Sequence, residues 1–202
     1  MPRYSKRQQE PKSCGAATLL VTLKELTGAP AKTTNTEEDA IYQAVKIPSG
    51  SLGAGETLPS SVYAYALGKN LHAEIIESPQ TAGAFATKPM YQLYSYALGQ
   101  AGIHPSVREL ADADFAGNAR LFLVVKFASS DLTHYVLARK DGAAVYIMNP
   151  DPGSDEAMAL PAFGAAVSTN RGGVIIHTPT GTANDGASRD YTFTGIAVRV
   201  WS

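Results

Sequence analysis

The sequence predicts an α+β fold, with helices in its first half and a mostly antiparallel sheet in its second. Two observations predict it. Apolar residues recur at helical spacing through the first half, and from residue 121 the chain turns to short β-branched and aromatic runs. This order differs from the strand–helix alternation of a parallel sheet. With 202 residues the chain can bury a core without staples. It reads as one domain, 1–202, with a helical half at about 13–117 and a sheet half at about 120–202.

In SCGAATLLVTLKELTG the positions 16, 19, 20, 23 and 26 share one helical face; Ser13 is the N-cap, and Gly28 with Pro30 the stop. Thr36 to Asp39 reads as a capping box for a helix at about 37–46. A Gly/Ser loop follows. Pro59 then opens a helix at about 58–68, and LHAEII reads as a strand. A helix at about 90–98 is closed by Gly99 and Gly102, and His104-Pro105 starts a last one ending before Gly117. LFLVVKF, HYVLARK, AAVYIM, GVIIH and YTFTGIAVRVW are the strands. Asp141-Gly142 is the hairpin turn between the second and third. The polar stretch GTANDGASRD reads as a surface connection, with a lid as its alternative.

Composition excludes several functions. Seventeen basic against 18 acidic residues leave a net charge of −1, with no surplus to neutralise phosphates, so no nucleic-acid partner is expected. One cysteine, Cys14, forms neither an internal disulfide nor a multi-thiolate zinc site, and the four histidines lack ligand spacing. No metal and no cofactor are expected. The basic N-terminus has no apolar run behind it, and no stretch reaches the ~20 apolar residues of a membrane span. The expectation is a soluble protein, cytoplasmic or exported by a route that needs no signal peptide.

Cys14 stands at the predicted start of the first helix, where unpaired N–H groups favour a thiolate, and this predicts a thiol pKa below the free value of about 8.5. Gly15 leaves room for a substrate. Gln8 lies in a segment too short for helix, from which its amide can fold back beside the sulfur as an oxyanion donor with the Cys14 N–H. By itself a lone cysteine is more often a small buried hydrophobe. The hairpin adds weight. If Asp141 and Gly142 are its two turn residues, paired positions sum to 283, and His134 faces Asn149 at a Cβ separation of about 4.5–5.5 Å. That is a base with its orienter, although a His and an Asn can also merely close a strand end. Asp151, a diagonal neighbour, competes with Asn149 for the orienting role. His72, His104 and His177 read as structural. Tyr63, Tyr65, Tyr91, Tyr94 and Tyr96 read as helix packing, with a substrate groove as the alternative.

Cys, then His, then Asn, with Gln upstream, is the order of the papain-like cysteine peptidase superfamily, which the sequence resembles. In motif it is most similar to the bacteriocin leader-peptidase group and its stand-alone relatives. QQEPKSCGAATLL and HYVLARKDGAAVYIMNPDPG carry the likeness, with a weaker piece at GETLPSSVYAYALGKNL. The resemblance implies a papain-like fold, N-terminal helices packed on a C-terminal antiparallel sheet. It implies Cys14 as nucleophile, His134 as base, Gln8 at the oxyanion hole and Asn149 as orienter. Leader peptidases usually have Asp of an Asp-Pro pair where Asn149 falls, and papain has Asn. The implied function is a cysteine peptidase acting on a peptide or protein, with a bacterial effector role and an inhibitor or immunity partner as further expectations. Alternatives are an amidase or acyltransferase on the same triad, acting on cell-wall peptide or transglutaminase-like, and a catalytically idle binding module.

Overall fold

The computed structural model describes residues 3–28, 34–127, 133–168, 174–178 and 189–202. Its elements run α1 (Cys14–Thr27), α2 (Asn35–Val45), α3 (Pro59–Leu67), β1 (His72–Glu77), α4 (Thr81–Phe85), α5 (Pro89–Ala101), β2 (Ser106–Val107) and a 3-10 segment (Asp112–Asn118). Then follow β3 (Arg120–Phe127), β4 (Thr133–Asp141), β5 (Ala144–Asn149), β6 (Ser154–Ala159), α6 (Leu160–Val167), β7 (Val174–Thr178) and β8 (Arg189–Trp201). One sheet runs β2-β1-β8-β3-β4-β5-β6, with β7 also paired to β8. Among the described residues only the β1–β2 pairing is parallel.

Strand alternation explains the two cores. Phe122 and Val124 of β3, Tyr135 and Leu137 of β4 and Met148 of β5 face α1, α3 and α5. Leu121, Leu123 and Val125, Val136 and Ala138, and Val145 and Ile147 face the opposite way, under α6 and Phe115. A strand covered on both faces needs apolar residues at successive positions, which is why β3 reads as an unbroken run.

Helix α1 is fixed at its far end by charge. Glu25 is buried and accepts from Arg120 Nε (2.6 Å), Arg139 Nη1 (2.5 Å) and the Tyr4 N–H (2.9 Å). Arg139 also reaches the Tyr4 carbonyl (2.8 Å) and Asp155. Gly28 closes the helix at φ 67°, in the left-handed region that favours glycine.

Several expectations are corrected. The capping box of α2 is Thr34 with Glu37, two residues before the Thr36–Asp39 pair. Helix α5 runs through Gly99 and ends at Gly102. The segment after His104-Pro105 forms β2, paired to β1, and then a 3-10 segment in place of a helix. The β4–β5 turn is Gly142-Ala143, so Leu137 pairs with Met148 and Asp141 with Ala144, and paired positions sum to 285. Gly142 has φ 61° at the first central place, where a type II′ turn takes glycine, and Asp141 still belongs to the strand. Elements β6, α4 and α6 add to those expected. Most of GTANDGASRD lies outside the described residues.

Candidate active site

The segment leading to α1 is held from two sides. The Gln8 N–H donates to the Pro150 carbonyl (2.7 Å), which ties the segment to the end of β5. The Gln9 N–H and the Ser13 hydroxyl donate to Glu38 of α2, at 2.9 and 2.6 Å. Ser13 occupies the N-cap place of α1 but makes no side-chain capping bond, against expectation, because its hydroxyl is spent on Glu38 and Glu10.

Cys14 opens α1 and is 7 % exposed. Burial pushes its pKa up to about 12, and the Glu56 carboxylate adds to this; N–H groups of Tyr135, Gly15 and Cys14 itself pull the other way. The expectation of a lowered thiol is therefore overturned for the resting protein, since desolvation outweighs the helix start. Gly15 is glycine for a reason other than substrate access: a Cβ there would lie 2.8 Å from Thr57 Cβ.

His134 stands near the start of β4. By alternation it shares the face of Val136 and Ala138, and its ring lies 5.3 Å from that of Tyr191. Its Nε2 is 2.8 Å from Asn149 Oδ1. The same Oδ1 accepts the Asp151 N–H at 3.1 Å, which fixes the amide with its oxygen toward the imidazole. Nε2 must then carry the proton, and a neutral ring is left with an unprotonated Nδ1. Burial holds the imidazole pKa below its ordinary 6.5 despite the Asn149 bond and the Asp151 carboxylate, so the ring is neutral at pH 7.

Asn149 is thus the partner of His134, but not by the predicted register. With sums of 285 it falls opposite Val136, and its amide reaches His134 diagonally, a Cβ separation of about 7–8 Å that a ring and an amide together span. Strand β5 ends there, Pro150 to Gly153 turn away, and Asp151 supplies its N–H to Asn149.

Cys14 packs in the core on the Tyr135 and Leu137 face of β4, and the imidazole of the neighbouring His134 lies on the other face. Among the described residues no hydrogen bond joins Sγ to the ring. Gln8 Nε2 lies 3.0 and 3.1 Å from the Glu10 and Pro11 carbonyls, so its donors brace the turn before Cys14 in place of facing an oxyanion. Among the described residues, four buried groups here have no partner: Gln8 Oε1, Thr57 Oγ1, Tyr135 Oη and Asn149 Nδ2.

Beside Thr57 and Tyr135 opens a cleft walled by Leu58, Met90, Tyr91, Tyr94 and Ile196. Tyr91 and Tyr94 donate to the buried Glu77 at 2.6 and 3.0 Å, which holds α5 as the cleft wall. Tyr91 and Tyr94 pack against the helical core as expected and also wall the cleft, whereas Tyr96 is exposed. His72 stacks on Trp201, and the side chain of His177 lies outside the described residues. Sequence reasoning missed Thr57, Tyr135 and Glu38. Glu38 had a signal: it falls at i, i+3, i+7 with Ile41 and Val45, on the buried face of α2.

No protein-family model and no curated protein matches the chain. Among solved structures it is similar to the crystal structure of the peptidase domain of Streptococcus ComA, a bi-functional ABC transporter involved in a quorum sensing pathway. The TM-score is 0.50 at 13 % identity, over 99 % of this chain and 98 % of that one. The fold is accordingly the α+β, papain-like cysteine peptidase fold. No described helix is long and apolar enough to cross a membrane.

Proposed function

We propose that this protein is a cysteine peptidase that hydrolyses a peptide or protein, with Cys14 as nucleophile, His134 as base and Asn149 as the residue that orients it. The observation that carries the reading is the fixed tautomer: Asn149 Oδ1, locked by the Asp151 N–H, leaves Nδ1 of His134 free to accept a proton, one residue from the amide that contacts the thiol. In the reaction Nδ1 takes the thiol proton as Sγ bonds to the substrate carbonyl carbon. Because the resting thiol and imidazole lie on opposite faces of β4, the step requires the ring to turn toward Sγ when substrate docks. The Cys14 N–H donates to the oxyanion. Gln8 Nε2 joins it by exchanging one of its two turn carbonyls. The imidazolium then protonates the leaving amine, and water, deprotonated by His134, releases the acid from the thioester. The Tyr91–Tyr94 cleft receives a substrate side chain.

A second reading, a catalytically idle binding module, is favoured by the raised thiol pKa and by the committed amide of Gln8. A random peptide library separates the two. The peptidase reading expects new termini with wild type and none with Cys14→Ala. Identical peptide profiles for the two proteins would leave the idle module standing.

A further inference from the structure

The cleft beside Cys14 carries polar groups that the proposed reaction does not use. Its inner end is marked by Thr57 and Tyr135, both more than nine-tenths buried. A Cβ on Gly15, the residue after Cys14, would lie 3.1 Å from Thr57 Oγ1, which places that hydroxyl against the first turn of α1. Tyr135 belongs to the same buried cluster as Cys14. Among the described residues neither hydroxyl has a hydrogen-bond partner. Buried hydroxyls are nearly always satisfied, so two orphans lining one cleft point to a partner that arrives with a ligand.

The outer end is basic. Across β3 and β4, Val124 pairs with Tyr135 and Lys126 with Thr133. All four line the cleft, so Lys126 and Thr133 stand one rung farther out on the same face, about 7 Å along the strands. Lys126 Nζ lies 5.9 Å from the centre of the Phe85 ring, and Lys88 stands at the start of α5. Among the described residues the cleft is lined by these two lysines and by no carboxylate. Glu77 lies behind Tyr91 and Tyr94 and is covered by their hydroxyls. Glu56 puts negative charge at the inner end: it precedes Thr57 in the chain, pairs with Lys12 at 3.3 Å, and helps to raise the Tyr135 pKa. A carboxylate therefore belongs at the lysine end, and an uncharged hydrogen-bonding group at the hydroxyl end.

We infer that the cleft selects an acidic residue of the substrate: the Thr57 and Tyr135 hydroxyls bind its peptide group beside the scissile bond, and Lys126 with Lys88 binds its side-chain carboxylate. The inference rests on the peptidase reading for the scissile bond, but the binding is measurable without cleavage.

The probe is a library of random peptides with acetylated and amidated ends, so that side chains hold its only carboxylates. It is passed over the Cys14→Ala protein, and the retained peptides are sequenced. Glutamate and aspartate should be enriched about fivefold over the input. In that background K88M/K126M should lose the enrichment. K69M/K140M, which removes the same charge away from the cleft, should keep it. T57V/Y135F should retain about tenfold less peptide of every composition, yet melt no lower than its parent, since it removes two unsatisfied buried groups. A merely structural pair of hydroxyls predicts the reverse, a lower melting temperature with retention unchanged. No acidic enrichment, enrichment that K88M/K126M keeps or K69M/K140M loses, or full retention by T57V/Y135F overturns the inference. Should T57V/Y135F fail to fold, T57V and Y135F are read singly by the same criteria. Cleavage of the same library by wild type keeps the two claims apart: no new termini removes the peptidase reading, while retention on the Cys14→Ala protein still decides what the cleft takes.

Discussion

The two ends of α1 are both built around a buried glutamate, and they differ in how completely their polar groups are satisfied. At the far end Glu25 has a guanidinium on each oxygen and the Tyr4 amide besides, and among the described residues Arg139 Nε and Thr22 Oγ1 are left over. At the near end Glu38 organises the segment before Cys14, yet Gln8 Oε1, Thr57 Oγ1, Tyr135 Oη and Asn149 Nδ2 are buried without partners. Such orphans each carry a desolvation cost of about 1–3 kcal/mol. The near end, where the proposed nucleophile stands, thus carries more unsatisfied buried groups than the end fixed by Glu25.

The sharpest way to break this contrast is at the saturated end. Glu25→Ala removes the carboxylate shared by two buried guanidinium groups and is expected to cost about 3 kcal/mol of folding stability. Turnover per folded molecule should stay at wild type. Urea unfolding with active-site titration checks both; a large drop in turnover with stability intact would mean that the two ends do not divide their labour.

At the unsaturated end Asn149→Ala releases the His134 tautomer and is expected to lower kcat about 10²-fold. Asp151→Ala keeps the backbone N–H that locks Asn149 and should leave kcat within about twofold of wild type. Steady-state kinetics of the two variants decides which residue orients the ring, and a larger loss from Asp151→Ala would assign the orienting role to the carboxylate.

How much of this was legible in the sequence depends on the range of the interactions. The α1 helix is a local pattern and the structure keeps it; the His134–Asn149 contact is also present, though not in the expected register. The register was not legible, because Asp141-Gly142 and Gly142-Ala143 both satisfy a glycine-containing two-residue turn, and pairing with β3 and β6 chooses between them. Two overlapping capping-box patterns, Thr34–Glu37 and Thr36–Asp39, posed the same choice in α2, and the longer Glu37 carboxylate makes the reciprocal bond. The stretch at 104–117 was misread because β1 recruits Ser106 and Val107 as a parallel neighbour. The raised thiol was beyond local reading, since Thr57, Tyr135 and Glu56 come from distant segments.

A smaller effect sharpens the contrast through pH. Cys14 holds its proton more tightly folded than unfolded, so its contribution to stability is complete below about pH 9 and is lost as pH rises toward 12. Just above pH 9, before tyrosines titrate, wild type should lose up to about 1.4 kcal/mol per pH unit relative to Cys14→Ala. His134 works in the other direction: its lowered pKa makes stability fall as pH drops below about 6.5. Thermal melts of both proteins from pH 5 to 10 check the two limbs. An alkaline limb of equal slope in both would show that the thiol is not held protonated. The smallest expected effect is that of Asp151→Asn, which removes a carboxylate that raises the His134 pKa and should move the acid limb of kcat/KM to lower pH.

The central claim is that Cys14 attacks with His134 as its base, and covalent trapping tests it most directly. Wild type and His134→Phe are incubated with a panel of peptidyl epoxides, and adducts are located by intact mass and peptide mapping. The account predicts one adduct, on Cys14, in wild type and its loss in a folded His134→Phe protein. Labelling of Cys14 at the same rate in both proteins, or none in wild type across the panel, would contradict it.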